Sequence, residues 1–290
     1  MAEITAALVK QLREMTDSPM MECKKALVEA DGDMDKAVDV LRTRGIAKSL
    51  KKAGRATNEG AVMAFVSEDG KTAAIAEIKC ETDFVSGTDK FKNMVAKVAE
   101  AAALSDAADV EALKAATVDG ETVEAIIANG IATMGENMTL TRFARRVVEN
   151  GAVASYIHMG GKIGVLVDMT GGDEELGKDV AMQIAAAAPA AIDRSGVDAA
   201  ALEHEKEVLR KQALEEGKPE KIVERMVEGR INKYYKEVCL NEQIFVKDSD
   251  KTVKDILGDV KVTAFTRYQL GEGIEKKQEN FAAEVAAQMK

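Results

Sequence analysis

The middle of the chain contains an internal duplication, which limits the folds that the chain can adopt. Gly60-Ala61-Val62 recurs as Gly151-Ala152-Val153, 91 residues later, and Gly70-Lys71 recurs at the same offset as Gly161-Lys162. Each copy has an alternating apolar segment, a Gly-containing turn and a second apolar segment, which is the pattern of a β-hairpin. The sequence therefore predicts two related structural units that both begin with a hairpin.

A helix and a third strand follow the hairpin in both copies. The helical segment 94–99 recurs as 180–185, 86 residues later, so the first copy has five extra residues between its hairpin and its helix. The strand segment 140–145 recurs as 262–267, 122 residues later, so the second copy contains a 36-residue insertion. These patterns predict an α+β fold with two small three-stranded antiparallel sheets, each with helices on one face.

The insertion in the second copy has the pattern of two antiparallel helices. Residues 198–216 form a charged helical segment, Gly217-Lys218-Pro219 interrupts it, and a second helix starts near Ile222. Two helices of about 18 residues would form a hairpin about 27 Å long. Because the segment has many charges and few core positions, we expect it to project from the body of the protein as an arm.

The N-terminal segment has the pattern of a small helical domain. Apolar residues at helical spacing predict three short helices within residues 4–45. Ser18-Pro19 is predicted to start the second helix, Asp33 to cap the third, and Gly45 to end it. Residues 48–60 follow as a predicted linker with a basic first half.

Two adjacent methionines in the second predicted helix leave two interpretations open. Met20 and Met21 either fill the small core of this module or contact a partner, since adjacent residues on a helix cannot both face one core. The neighbouring Lys24-Lys25 pair is either a solvated surface or complementary charge for that partner.

The C-terminal residues also have a helical pattern. Ile274, Phe281, Val285 and Met289 recur at helical intervals and predict a final helix within 273–290. This helix could pack equally well on the core or on a partner.

Composition and charge exclude several classes of function. The formal net charge is −10, so we expect no binding to nucleic acid, which requires a basic surface. The three cysteines, Cys23, Cys80 and Cys239, have neither disulfide-framework nor zinc-site spacing, and we expect buried thiols in a reducing cytosol. The N-terminal residues have no long apolar segment, so we expect no membrane association and a cytoplasmic location.

The sequence contains no recognisable catalytic arrangement. Its two histidines, His158 and His204, lie in a hairpin strand and in the charged arm, and neither a nucleophile elbow nor a phosphate-binding loop is present. Glu81, Asp83 and Asp89 could hold Mg²⁺, which leaves a metal-dependent hydrolase as one alternative. Closely spaced acids on a loop are usually solvated, so we expect a binding protein without enzyme activity, resident metal or cofactor.

The five extra residues of the first copy coincide with a rare aromatic side chain. Thr82-Asp83-Phe84-Val85 lies in a predicted loop here, and only 7 of the 290 residues are Phe. The second copy has Gly-Asp-Glu-Glu at 172–175, without an aromatic residue. An architecture that forms once without this segment should not need it for folding. Phe84 is therefore predicted to contact another molecule, the alternative being a place in its own core.

Five ordered segments together carry a family resemblance. They are MMECKKAL at 20–27, TDFV at 82–85, GVLV at 164–167, MVEGR at 226–230 and GEGIEK at 271–276. These segments resemble motifs of bacterial elongation factor Ts, the family of nucleotide exchange factors for the translational GTPase elongation factor Tu. The resemblance covers nearly the full length of the chain.

The resemblance implies a domain organisation. The expected parts are a ubiquitin-associated-like helical domain with its linker at 1–55, an N-terminal core subdomain at 56–150, a C-terminal core subdomain at 151–192 and 230–272, a coiled-coil hairpin at 193–229, and a C-terminal helical module at 273–290. A head of this kind leaves a second alternative, an adaptor that binds ubiquitin-like proteins.

The resemblance also implies a partner and a mechanism. The chain would bind GDP-bound elongation factor Tu and promote exchange of GDP for GTP, without bond-making chemistry. Thr82, Asp83, Phe84 and Val85 would enter near the partner's Mg²⁺ and displace it. The other implied contacts are Met20, Met21 and Lys24 in the head, Met134 and Gly135 in the first core unit, and His158 in the second. The complex would be either one-to-one or a dimer of heterodimers formed through the arm.

Overall fold

Three helices form the N-terminal head in the computed structural model, which describes residues 4–16, 18–217 and 219–272. The helices are α1 (Ala6–Thr16), α2 (Met20–Glu29) and α3 (Met34–Lys52). Leu12, Cys23 and Leu27 are fully buried in their small core. As predicted, Asp33 caps α3, because its carboxylate accepts a hydrogen bond from the Lys36 backbone N–H at 3.0 Å.

Two predicted helix boundaries in the head are wrong. Ser18 does not cap α2, because its hydroxyl lies 3.5 Å from the Thr16 carbonyl, and Pro19 occupies the cap position without a side-chain hydrogen bond. Gly45 does not end α3, which continues to Lys52 through part of the predicted linker. Gly45 lies in the part of α3 that packs on the first core unit, where a Cβ would be at an ordinary van der Waals distance, 3.6 Å, from the Ala128 carbonyl oxygen.

The first core unit is a three-stranded antiparallel sheet with helices on one face. Its elements are β1 (Glu59–Val66), β2 (Thr72–Cys80), α4 (Asp83–Ser86), α5 (Asp89–Leu104), α6 (Val110–Ala115), β3 (Thr117–Val118), β4 (Glu121–Thr122), α7 (Val123–Met134) and β5 (Met138–Val147). The strand order is β1-β2-β5, and β3 and β4 form a separate two-stranded ribbon. Helix α5 packs on β1 and β2, with Phe91 and Val95 fully buried.

The second core unit repeats this plan and includes the arm. Its elements are β6 (Ala152–His158), β7 (Ile163–Met169), α8 (Glu174–Ala187), α9 (Ala199–Glu215), α10 (Glu220–Val238), β8 (Ile244–Phe245), β9 (Asp248–Thr252), α11 (Val253–Leu257) and β10 (Val262–Gln269). The strand order is β6-β7-β10, and α8 packs on β6 and β7. The α+β fold predicted from the duplication is confirmed.

The two sheets pack against each other, and the helices cover their outer faces. Val62 and Ile75 of the first sheet are fully buried against Leu166 of the second. A Cβ at Gly164 would lie 2.6 Å from Val62 Cγ1 and 2.8 Å from Ile75 Cδ1, so a larger residue would force these buried side chains to shift. The core is therefore four layers deep, in the order helix, sheet, sheet, helix.

A buried ion pair reinforces the seam between the sheets. Glu77 of β2 is 1% exposed and accepts two hydrogen bonds from Arg142 of β5, at 3.0 and 2.7 Å. The Arg142 guanidinium also lies over the Tyr268 ring of β10, 4.1 Å from its centroid, and donates to the Gln269 carbonyl at 2.9 Å. One arginine therefore connects three strands that belong to two sheets.

The duplication is visible in backbone details as well as in the order of elements. Gly60 and Gly151 occupy equivalent positions with positive φ angles of 151° and 87°, and a Cβ on either would collide with a carbonyl of the neighbouring strand. Thr122 and Thr252 cap α7 and α11 through their hydroxyls. The helix after this cap differs in length between the copies, since α7 has 12 residues and α11 only 5. The 36-residue offset is therefore a net difference, in which the shorter helix of the second copy hides part of the inserted arm.

Helices α9 and α10 pair along the arm. Ala213, Val223, Val227 and Ile231 are buried between them. With 17 and 19 residues, the helices are close to the predicted length. Helix α10 continues to Val238 and therefore crosses the predicted boundary at residue 229. The final helix predicted within 273–290 lies outside the described residues. In the ranges that the structure describes, no helix has the length and hydropathy needed to cross a membrane.

The three cysteines are free and buried. Burial raises the pKa of each thiol, and for Cys80 it does so to about 12, with the negative charge of Glu136 adding to the effect. The thiols therefore stay protonated at neutral pH, in agreement with the expected role as small apolar side chains.

We expect Gly164→Ala to lower the free energy of unfolding by about 1–3 kcal/mol, because the added methyl group overpacks the seam between the sheets. Urea denaturation followed by circular dichroism measures this change. Gly171→Ala is the matched control, since nothing lies within 4 Å of its Cβ position. Equal stability of the two variants would contradict the close packing described above.

We expect the native protein to react only slowly with a thiol reagent such as DTNB at pH 8, because the reagent requires an accessible thiolate. The denatured chain should release three equivalents of chromophore, one for each cysteine. Rapid labelling of any cysteine under native conditions would show that the corresponding core opens.

Candidate functional site

The segment after β2 forms one helical turn, α4, instead of the predicted loop. Thr82 caps this turn, because its hydroxyl oxygen accepts a hydrogen bond from the Val85 backbone N–H at 3.4 Å. The Ser86 N–H donates to the Thr82 carbonyl at 3.2 Å, and Ser86 is buried. Val85 packs against the core of the first unit. The turn is therefore attached to the sheet by its last two residues.

Phe84 lies on the solvent-facing side of α4. It is 85% exposed, whereas Phe91, in the first turn of α5, is fully buried. Asp83 is exposed beside it. Phe84 therefore takes no part in its own core, and α4 presents an apolar ring and a carboxylate side by side.

A carboxylate from the end of α7 holds the entry to α4. Glu136 accepts hydrogen bonds from the backbone N–H groups of Glu81 and Thr82, at 3.1 and 3.0 Å, and from the Thr82 hydroxyl at 2.5 Å. In the opposite direction, the Asn137 N–H donates to the Glu81 carboxylate at 2.6 Å. The sequence does not single out Glu136, since a single acid in a turn has neither periodicity nor a motif of its own.

Met134 and Gly135, two of the implied contact residues, lie at the end of α7 beside this carboxylate. Gly135 ends the helix in the left-handed conformation with φ 85°, and its carbonyl accepts a hydrogen bond from Lys52 Nζ at 2.6 Å. The buried Asn137 amide donates to the Arg55 carbonyl at 2.8 Å. The end of α3 and the linker therefore contact the same turn that holds α4.

His158 lies at the end of β6, and its Nδ1 is 3.1 Å from the Tyr156 hydroxyl. Just before β7, Lys162 donates to the Glu59 carboxylate at 2.6 Å. Glu59 starts β1 and pairs with Cys80 at the end of β2. Since α4 follows Cys80 closely in the chain, the β6–β7 turn and α4 lie at the same end of the molecule.

The implied contact residues of the head lie on the surface of α2. Met20 and Met21 are 52% and 62% exposed, and Lys24 is exposed as well. The head core is filled by other residues of the same helix, Cys23 and Leu27. The interpretation of the two methionines as core residues is therefore wrong.

The acidic residues near α4 do not form a metal site. Among the described residues, no group of three or more His, Cys, Asp or Glu side chains is arranged to hold a metal ion. The Glu81 carboxylate already accepts from Asn137 and, at 3.4 Å, from Arg55, while Asp83 and Asp89 are exposed. The hydrolase alternative therefore has no ligand set in this part of the chain.

Comparisons with known proteins identify the family of the chain. Residues 81–272 match the family model described as Elongation factor TS. Elongation factor Ts of Clostridium acetobutylicum is 50% identical over 301 residues, which cover 99% of this chain and 98% of that protein. Elongation factor Ts of Clostridium botulinum (strain Alaska E43 / Type E3) is 50% identical over 300 residues, which cover 99% of both. The chain belongs to the elongation factor Ts family.

Proposed function

We propose that this chain binds the GDP-bound form of elongation factor Tu in the cytoplasm and promotes exchange of GDP for GTP. Asp83 and Phe84 enter the partner beside its bound Mg²⁺ and weaken the hold on the nucleotide. The chain itself makes and breaks no covalent bond. Family membership supports the partner and the exchange role. The observation that carries the mechanism is Phe84, which is 85% exposed on an anchored helical turn.

The mechanism follows from binding energetics. GDP is held in such GTPases by its phosphates and by Mg²⁺. An inserted side chain accelerates release only as far as it binds the distorted partner better than the undistorted one. Burying a Phe provides about 1.5–3 kcal/mol, and each 1.4 kcal/mol corresponds to about tenfold. Burial of Phe84 therefore accounts for at most about a 150-fold acceleration of GDP release, and the wider interface must supply any further acceleration.

The wider interface would use the other exposed residues. Met20, Met21 and Lys24 would contact the partner through the head, Met134 and Gly135 beside α4, and His158 from the second core unit. The position of His158 at the same end of the molecule as α4 supports a shared surface. Thermodynamic linkage makes the effect reciprocal, so incoming nucleotide and Mg²⁺ expel this protein by the same factor.

We expect Phe84→Ala to slow GDP release from elongation factor Tu by about 10–150-fold, because the variant loses the apolar contact that favours the distorted state. Stopped-flow release of a fluorescent GDP measures this rate. The melting temperature should not change, since the ring touches little of its own protein. When free Mg²⁺ is removed with EDTA, the difference between the variant and the wild type should shrink.

Leu104→Ala is the matched control for Phe84→Ala. Leu104 is also exposed, at 62%, but it ends α5, about 22 Å along the helix from the residues next to α4. This variant should release GDP at the wild-type rate. A Phe84→Ala protein that folds and exchanges as fast as the wild type would refute the proposed role.

We also propose that two complexes pair through the arm. Two apolar residues near the turn between α9 and α10, Leu214 and Ile222, are 49% and 45% exposed, which supports a contact there. We expect the Leu214→Ser, Ile222→Ser double variant to give a complex with half the molar mass of the wild-type complex in light scattering. Equal masses at all concentrations would show that the arm does not pair the complexes.

A further inference from the structure

We propose that Glu136 is the positioning residue for α4, and that its carboxylate sets the orientation in which Phe84 meets the partner. This inference rests on the proposed function and deepens it. Its basis is the set of three hydrogen bonds that Glu136 accepts from the two residues before α4. Glu136 does not itself enter the partner, so its effect must pass through α4.

A single helical turn needs an external support of this kind. Helix α4 has only four residues, which is far below the length at which a helix is stable by itself. Its cap is the Thr82 hydroxyl, which accepts from the Val85 N–H and donates to Glu136. The direction of this hydroxyl, and with it the cap, is therefore set by the carboxylate.

The support is itself rigidly placed. Gly135 and Glu136 follow α7 directly, and the Lys52 ammonium group on the Gly135 carbonyl fixes this turn from the side of α3. Asn137 is 4% exposed and donates through its side chain to the Arg55 carbonyl and through its backbone to Glu81. The carboxylate of Glu136 therefore occupies a fixed point relative to β2, where α4 begins.

The chemistry of the site favours a carboxylate. Three N–H and O–H donors converge on Glu136, and only an ionised carboxylate offers two acceptor oxygens without a donor. A glutamine could direct its carbonyl oxygen at the two N–H groups and its NH₂ group at the Thr82 hydroxyl, which can accept as well as donate. Hydrogen bonds to a neutral acceptor are weaker than those to a charged one, so this arrangement would hold the turn less firmly. Glu136→Ala should therefore release α4, and Glu136→Gln should retain it in part.

The experiment distinguishes a lost orientation of α4 from a lost affinity for the partner. At saturating concentrations of Glu136→Ala, GDP release from elongation factor Tu should be slower by about 10–100-fold than with the wild type, since misplaced groups lose much of their effect. Glu136→Gln should restore part of this rate, because its amide can still bind the three groups. The half-saturating concentration should change by less than about threefold, because the rest of the interface is intact. The Glu136→Ala, Phe84→Ala double variant should be no slower than Phe84→Ala alone, because Glu136 acts through α4.

Asp109→Ala is the matched control. It removes another carboxylate of the same core unit, which accepts a hydrogen bond from the Ala112 backbone N–H at the start of α6. This variant should lose similar thermal stability and keep the wild-type rate of exchange. If it slows exchange as much as Glu136→Ala, the effect of Glu136 is general destabilisation and the inference is wrong.

A measurement without the partner judges the same inference independently. In the amide NMR spectrum of the free protein, the Glu81 and Thr82 N–H protons should move upfield in Glu136→Ala, because they lose their carboxylate acceptor. Unchanged chemical shifts of these two protons would overturn the inference. So would a Glu136→Ala, Phe84→Ala double variant in which the two losses of exchange rate add. If Phe84→Ala does not slow exchange while these shifts do change, the proposed function fails and Glu136 still positions α4.

Discussion

The close contact between two small sheets is the constraint on which the rest of the structure depends. A small sheet is stable only when its apolar faces pack against other elements, so each sheet here uses the other for one face and helices for the second. Gly164 makes the approach possible, and Val62 and Ile75 fill the space that it leaves. This contact fixes the relative position of the strand ends, and therefore brings α4 and the β6–β7 turn to one end of the core.

The two copies have diverged in ways that belong together. The first copy has α4 and a long α7, whose end carries Glu136. The second copy has neither, because the chain runs directly from β7 to α8 and α11 stops at Leu257 after five residues. The exposed aromatic residue and the carboxylate that holds its helical turn are thus present in the same copy. A fixed orientation of Phe84 needs both α4 and the Glu136 carboxylate, since an unsupported turn would present Phe84 in many orientations.

Local patterns predicted the main elements but not the contacts between distant segments. Both hairpins and the Asp33 cap followed from periodicity and capping chemistry, which depend only on neighbouring residues, and the third strands followed from the internal repeat. Gly45 has the local pattern of a helix end, but α3 continues past it because the helix packs on α7, far away in the sequence. Glu136 was missed for the same reason, because its donors lie on another element. Strands of two residues, such as β3 and β8, are too short to show a pattern.

The base of the arm is held together by hydrogen bonds between the two chain segments that cross it. The chain leaves the second unit after α8 and returns before β8, and the two crossing points are hydrogen-bonded to each other, with the Ala190 N–H on the Val238 carbonyl and the Leu240 N–H on the Ala191 carbonyl. Arg194 closes the same junction by binding both oxygens of Glu242. The segment between these two points is therefore an insertion that leaves the core and returns to it at the same place. Its length can therefore grow or shrink over evolution without altering the spacing of the strands, at a small entropic cost.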